Sequence, residues 1–343
     1  MVIIRYLYLK NIIKESKLSY VMERPGKADT HVHTEYSGFG KLWLLGFPES
    51  VSRPTSLVDR SRRMGYDVVC VTDHNETAGA FIAKEYAKQY DDIEIVIGEE
   101  VMTEDGEIIG LFLTEKIKPN LSVEETVDII REQGGLTIAP HPFSFHVRGL
   151  KEKIFDIDLD GFEVLNGGHP DKYSNPFAKM VMDRHPGRWA PIGASDAHSK
   201  YTYGYAWTEF EGNTAEDLRK AILSKKTIPR GRTTPVLSEV QWSMEVVIVG
   251  QRIIYKSLGG KLPYKVDHAL IEAVNDQSDL IKATAMIGGF AYLFPPVTFL
   301  ATLASTTYLN RCAKRLRKDI EQRLEEIDEL IKNLDPRHTS SES

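Results

Sequence analysis

Between residues 27 and 232 the chain repeats one pattern: a short apolar run followed by a stretch with helical spacing. The runs fall at 28–33, 67–72, 94–97, 107–113, 136–139, 161–165, 190–194 and 205–210. Each is short and mostly apolar. Each therefore reads as a strand buried on both faces. The spacing between the runs predicts helices over 57–64, ending at Gly65, and over 77–89. Ser122 with Glu125 three residues on is a capping box, and Gly134-Gly135 stops that helix. Thr214 with Asp217 opens another, with Leu218, Ala221 and Ile222 on one side. Such alternation restricts the fold class to α/β, with a mainly parallel sheet or barrel.

The ionisable residues follow the same rhythm. Asp29, His31 and His33 end the first run, and Asp73 and His74 follow the second. Glu99 and Glu100 follow the third, His141 the fifth, and Asp196 and His198 the seventh, while Glu163 lies late in the sixth. The carboxyl ends of parallel strands share one rim, so six strands deliver imidazoles and carboxylates to one place. Bare charges gathered there would be costly to desolvate, and divalent cations remove that cost. Imidazole and carboxylate together suit Zn2+, Mn2+ and Fe2+.

Each fragment also has a plainer reading. His31-Val-His33 can be a core or surface pair, Asp73 a helix N-cap, and His141 a turn residue between prolines. Their joint placement at strand ends argues against coincidence. His146, His169, His185 and His268 follow no such rule and read as surface or structural residues.

These residues resemble the PHP superfamily, named for polymerase and histidinol phosphatase. The matching pieces are Asp29-Thr-His31-Val-His33-Thr, Val71-Thr-Asp73-His74-Asn75, Gly98-Glu99-Glu100-Val101, Pro140-His141-Pro142 and Ser195-Asp196-Ala197-His198-Ser199. The resemblance covers about 27–232. It implies a distorted (β/α)7 barrel, two or three divalent metal ions, and hydrolysis of phosphomonoesters or phosphodiesters. Residue by residue, it implies that His31, His33, Glu100 and Asp196 hold one metal and form the catalytic core. Glu100, preferred to Glu99, would bridge to a second metal held with His141, and His74 and His198 would reach a third. Asp29 would orient a histidine. Two departures stand out. The stretch Tyr36-Ser37-Gly38-Phe39-Gly40 lacks the Asp or His that many relatives carry there. Glu107 stands where a relative often has His, and as a carboxylate it can still serve the second metal.

The chemistry expected is in-line attack on phosphorus by a metal-bridging hydroxide. Arg148, Lys200 and Arg230 are candidate phosphate clamps. The substrate expected is a nucleotide, short oligonucleotide or small phosphomonoester. A net charge of -6 and no aromatic stacking platform speak against long nucleic acid. The alternative is a non-catalytic metal-binding module tethered to a membrane for regulation or assembly.

Outside 27–232 the composition changes. Residues 1–26 are an extension that lacks signal-peptide features, and Met22 is an alternative start. The loop 38–54 carries Trp43, Leu44, Leu45 and Phe47, which would pack on the barrel or cover its pocket. The region 233–343 reads as helical, with no charge between 283 and 310 and Pro295-Pro296 at the middle of that run. Arg311, Lys314, Arg315, Arg317 and Lys318 follow at once. This predicts a hydrophobic hairpin, with a membrane contact through 283–318 on the inner face. Two cysteines cannot form a disulfide framework, which fits a cytoplasmic protein.

Overall fold

The computed structural model describes residues 24–42, 45–258, 274 and 277–334. The expectations about 1–23, Met22, Trp43, Leu44, His268 and the last residues of 233–343, from 335 on, lie outside them. The strands are β1 (Gly26–Val32), β2 (Phe39–Leu42), β3 (Leu45–Pro48), β4 (Val68–Val71), β5 (Glu94–Met102) and β6 (Glu107–Leu111). They continue as β7 (Leu136–Ala139), β8 (Gly161–Asn166), β9 (Ala190–Ala194), β10 (Ala206–Phe210) and β11 (Ile228–Gly231). The helices are α1 (Pro54–Arg63), α2 (Ala78–Ala87), α3 (Val123–Glu132), α4 (Ser174–Arg184), α5 (Ala215–Leu223), α6 (Val236–Ser257), α7 (Asp279–Tyr292) and α8 (Pro295–Leu334). Both capping boxes read from the sequence form, at Ser122/Glu125 and Thr214/Asp217. Helix α4 was not anticipated, because Pro176 and its polar neighbours obscure an apolar stripe of Phe177, Ala178, Val181 and Met182.

The strands join in the order β11-β10-β1-β4-β5-β6-β7-β8-β9. The end of β9 closes back on β1: His33 N donates to Ala197 O at 3.0 Å, and Asp196 N to His31 O at 2.9 Å. The result is a distorted, nearly closed, mixed barrel. Two strands break the parallel rule. β6 pairs antiparallel with both β5 and β7, and β10 with both β1 and β11. β5 also runs to Met102, so Glu99 and Glu100 lie inside it rather than after it.

Alternation along the strands divides the core into two layers. Ala28, Cys70, Val96, Ile109, Ile138 and Ile192 fill the barrel interior, with Leu218 and Ile222 of α5 packed on the same cluster. Val69, Val71, Ile95, Ile97 and Phe162 face the helices. Burying each large apolar side chain contributes about 1.5–3 kcal/mol. The inner plug leaves the C-terminal rim for polar groups.

The C-terminal region differs from the hairpin expected. α7 and α8 meet at 88°, an elbow at Leu293 and Phe294. Pro295 opens α8 instead of breaking it, because a helix's first position needs no backbone N–H. The helix that α7 packs against is α6: Gln251 Nε2 donates to Ala285 O at 3.0 Å, and Ser243 meets Tyr292 through their hydroxyls. α8 returns to the barrel through Arg323, 2.6 Å from Glu152. Among the described residues, no single helix is long and apolar enough to cross a membrane, and only this bent pair together passes that test.

At the seam, a Cβ on Gly193 would lie 2.5 Å from Trp207 O and 3.0 Å from Pro229 Cα. Gly193→Ala is therefore expected to destabilise the fold by about 1–3 kcal/mol. A denaturant midpoint equal to that of the unsubstituted protein would contradict this close approach.

Candidate metal centre

The rim collects side chains from seven of the nine strands. β1 brings His31 and, just past its end, His33. The turn after β4 brings Asp73 and His74, and β5 brings Glu100. Glu100 turns inward because Glu99, its neighbour in the strand, takes the opposite face, where Glu99 Oε2 accepts from Ile117 N. Glu107 opens β6, and only an antiparallel strand could bring its first residue to this rim. His141 follows β7, Glu163 lies in β8, and Asp196 and His198 follow β9. His141 and Asp196 have positive φ, 27° and 49°. Such backbone costs about 1–3 kcal/mol per residue and persists where the surroundings enforce it.

Hydrogen bonds fix the tautomers. His31 Nδ1 lies 2.8 Å from Glu163 Oε1, and a carboxylate only accepts, so Nδ1 carries the proton. Ser37 Oγ donates to Asp73 Oδ1 at 2.7 Å and so accepts from His33 Nδ1 at 2.8 Å. Both Nε2 atoms are therefore bare lone pairs when the rings are neutral, and they face each other at 2.9 Å. Glu100 Oε2 is 3.3 Å from His31 Nε2 and 3.4 Å from His33 Nε2. Asp196 Oδ1 is 3.4 Å and 3.2 Å from the same two atoms. Four donor atoms thus sit at the corners of a small polyhedron. A tetrahedral cation with bonds of about 2.0–2.1 Å needs ligand separations of about 3.3–3.4 Å.

The other donors surround this group. His141 Nε2 is 3.0 Å from Glu100 Oε1, and His74 Nδ1 is 2.9 Å from Glu100 Oε2. Glu107 Oε2 lies 3.9 Å from His141 Nε2 and has no hydrogen-bond partner. His33, His74 and His198 offer ring nitrogens within 4.8 Å of one another, as do donors of His74, Glu100 and Glu107. Several clusters able to coordinate divalent cations are therefore present.

The electrostatics of this cluster suit a cation. Burial works against charge on His31, yet Asp196, Glu100 and Glu163 hold its pKa well above the usual value. Burial and the neighbouring His198 and His74 push His33 well below it. Burial also opposes the charge on Glu100, but His74 and His31 keep it well below the carboxylate range. Burial, then Glu100, raises Glu107 to about 7. Without a cation the cluster must therefore borrow protons to balance its carboxylates.

Other sequence-selected residues stand further off. Asp29 is buried, and its Oδ1 accepts from Ser195 N at 3.0 Å and His31 N at 3.4 Å. It tethers β1 to the turn after β9, and the carboxylate that meets Nδ1 of the His31 ring belongs to Glu163. Asp73 is no helix cap, since it accepts from Thr34 N and Thr34 Oγ1 as well as Ser37. Arg148 donates to Glu104 O, Lys200 pairs with Glu245, and Arg230 with Glu209. Each expected clamp thus has another partner.

The sequence reading missed four contributors. Glu49, just past the β2–β3 hairpin, brings Oε2 to 3.4 Å from His74 Nε2. It supplies a carboxylate close to where the Tyr36–Gly40 stretch lacked one, and the unusual loop length was its only signal. Asn166 donates to Glu163 Oε2 and Asp196 Oδ2. From α6, Trp242 lies 5.8 Å from the His198 ring, and Glu239 sits in the field of Asp196. No local pattern joins α6 to a rim some forty residues earlier.

Comparison with known proteins now decides the family. A family model described as "PHP domain" matches residues 29–132, and one described as "PHP-associated" matches 188–227. The Methanocaldococcus jannaschii protein MJ1587 is 51% identical over 152 residues, 44% of this chain and 88% of its own length. The chain belongs to the PHP superfamily. A second M. jannaschii protein, MJ0417, is 31% identical over 54% of this chain and 70% of its own. A solved amidohydrolase from Chromobacterium violaceum is 16% identical, covering 62% of this chain and 95% of its own, with a TM-score of 0.41. Within this PHP protein, the family matches fall inside the barrel, leaving β7, β8 and α4 between them and β11 and α6 to α8 after them unmatched.

Burial, then Asp196, raises the Glu239 carboxyl from 4.5 to about 8. An acid raised in this way favours the fold below its unfolded pKa and loses that advantage as pH rises through its folded value. Metal-free protein should therefore lose stability between about pH 5 and 8, and Glu239→Gln should lose less. Melting temperatures across that range check this, and parallel curves for the two proteins would refute it.

Proposed function

We propose that this PHP protein is a metal-dependent phosphoesterase acting on a nucleotide, a short oligonucleotide or a small phosphomonoester. The observation that carries the reading is the His31/His33/Glu100/Asp196 polyhedron, whose two facing imidazole lone pairs call for a cation between them. His31, His33, Glu100 and Asp196 hold that ion. Glu100, with one oxygen toward each side, shares a second with His141 and Glu107. His74 and His198, joined by Glu49 near His74, frame a third. Divalent cations there polarise a phosphoryl group and bring the pKa of bound water toward neutrality. The chain's own residues do the rest. Glu163 and the Asp73–Ser37 pair keep both Nδ1 atoms protonated, so each Nε2 stays available. Asn166 holds Asp196 in place.

The test uses the full chain, stripped of metal and resupplied with Mn2+, Zn2+ or Mg2+, on aryl phosphates and short RNA. Hydrolysis should return with metal and vanish in His31→Ala and in Asp196→Ala. Glu163→Gln should weaken metal affinity or activity by about 10–100-fold. Full activity in both alanine variants would sink the assignment.

The same reading extends to the elbow. Leu280, Ile287, Phe290 and Leu300 are exposed on α7 and α8 and Phe294 at the elbow between them, and the basic run 311–318 follows along α8. An apolar face flanked by cations suits the surface of an anionic bilayer. We place the protein in the cytoplasm, resting there on the inner leaflet. It should co-sediment with phosphatidylserine-containing vesicles, and Phe290→Glu/Leu300→Glu should release it. Equal sedimentation of both proteins would exclude this face as the contact.

A further inference from the structure

A second group of metal-ligating side chains lies outside the centre just described. His146 comes from the loop after β7, and His169 and Asp171 from the loop after β8. One donor atom from each lies within 4.8 Å of the others. None of the three contributes to the polyhedron around Glu100.

His169 is the telling member. Its side chain is buried, 2% exposed, and Nε2 has no hydrogen-bond partner. A buried ring nitrogen without a partner forfeits its hydration for nothing, unless something absent from the protein chain sits on it. Asp171 is held rigidly: Oδ1 accepts from Tyr173 N at 2.7 Å and Ser174 N at 2.8 Å, and Oδ2 from Ser174 Oγ at 2.7 Å. These three bonds leave a lone pair on the carboxylate. The turn before α4 accounts for Asp171, but not for the bare nitrogen of His169 or the convergence of His146. Ser144 Oγ lies 3.3 Å from His146 Nδ1, which leaves Nε2 of that exposed ring free.

The loop that carries His169 has little freedom. A Cβ on Gly167 would come within 2.9 Å of Ser195 O, and Thr234 N donates to Gly167 O at 2.8 Å. The His169 ring stacks against His141, with centroids 5.9 Å apart, and lies 4.9 Å from His146.

We propose that His146, His169 and Asp171 bind one further divalent cation of the zinc class, separate from the main centre, that clamps the loop after β7 to the loop after β8. Two imidazoles and one carboxylate suit such an ion and leave positions for water. Closing on it requires donor separations of about 3.3–3.4 Å, and exposed His146 is the member able to move. The clamp would steady His141 from behind. This site does not depend on the reading of the main centre.

The test measures zinc bound per full-length chain, by mass spectrometry after dialysis against fixed free Zn2+. The unsubstituted protein is compared with His146→Ala, Asp171→Asn and the double variant His31→Ala/His141→Ala. Loss of one ion in His146→Ala and in Asp171→Asn, and retention of that ion in the double variant, is the expected result. Unchanged zinc content in His146→Ala overturns the proposal, and this exposed position should tolerate the change without unfolding. If the double variant keeps every ion while His146→Ala loses one, the main centre has been misread and the clamp stands. Co2+ absorption gives a second readout: the ligand-field bands assigned to the clamp should disappear in His146→Ala and persist in the double variant.

Discussion

Two imidazole nitrogens, His31 Nε2 and His33 Nε2, face each other at 2.9 Å inside a buried rim. Neutral rings in the tautomers that their partners impose would repel there. Much of the surrounding structure can be understood as holding them in that position. Glu163 and Asp73 fix the tautomers, the second through Ser37. Glu100 and Asp196 place carboxylate oxygens beside them, and strained backbone at Asp196 is retained to do so. A fold that spends stability in this way is organised around a ligand charge.

The barrel makes that arrangement possible by separating its two ends. The interior cluster, with α5 packed on it, fills the lumen with apolar side chains, so polar groups concentrate at the opposite rim. The reversed strand β6 extends the reach of that rim. An all-parallel barrel would carry Glu107 to the far end, whereas the β5–β6 hairpin returns it beside Glu100 and His141. The β2–β3 hairpin does something similar for Glu49, and α6 leans Trp242 and Glu239 over the His198 side. Because α6 also packs against α7, the metal rim and the exposed apolar elbow share one helix.

Much of this was legible in the sequence. Short apolar runs with polar groups at their ends announce strands, and the position of His31, His33, His74, His141, Asp196 and His198 at those ends follows from local order alone. Capping boxes at Ser122 and Thr214 are equally local, since donor and acceptor lie three residues apart. The choice of Glu100 over Glu99 came from resemblance, and the strand's alternation turns the same residue inward.

What the sequence determined by itself was therefore the periodic content: an α/β alternation, a metal-favouring set of donors at successive strand ends, and a long uncharged C-terminal run. Tertiary structure decided the rest, because it depends on contacts between residues far apart in the chain. The direction of β6, the carboxylate on His31 coming from Glu163 and not Asp29, and the partners that occupy Arg148, Lys200 and Arg230 are of this kind. So are the elbow at Pro295 and the convergence of His146, His169 and Asp171, three residues that local order marks as unremarkable. Local periodicity encodes which face a side chain takes. Only closure of the barrel encodes what it meets there.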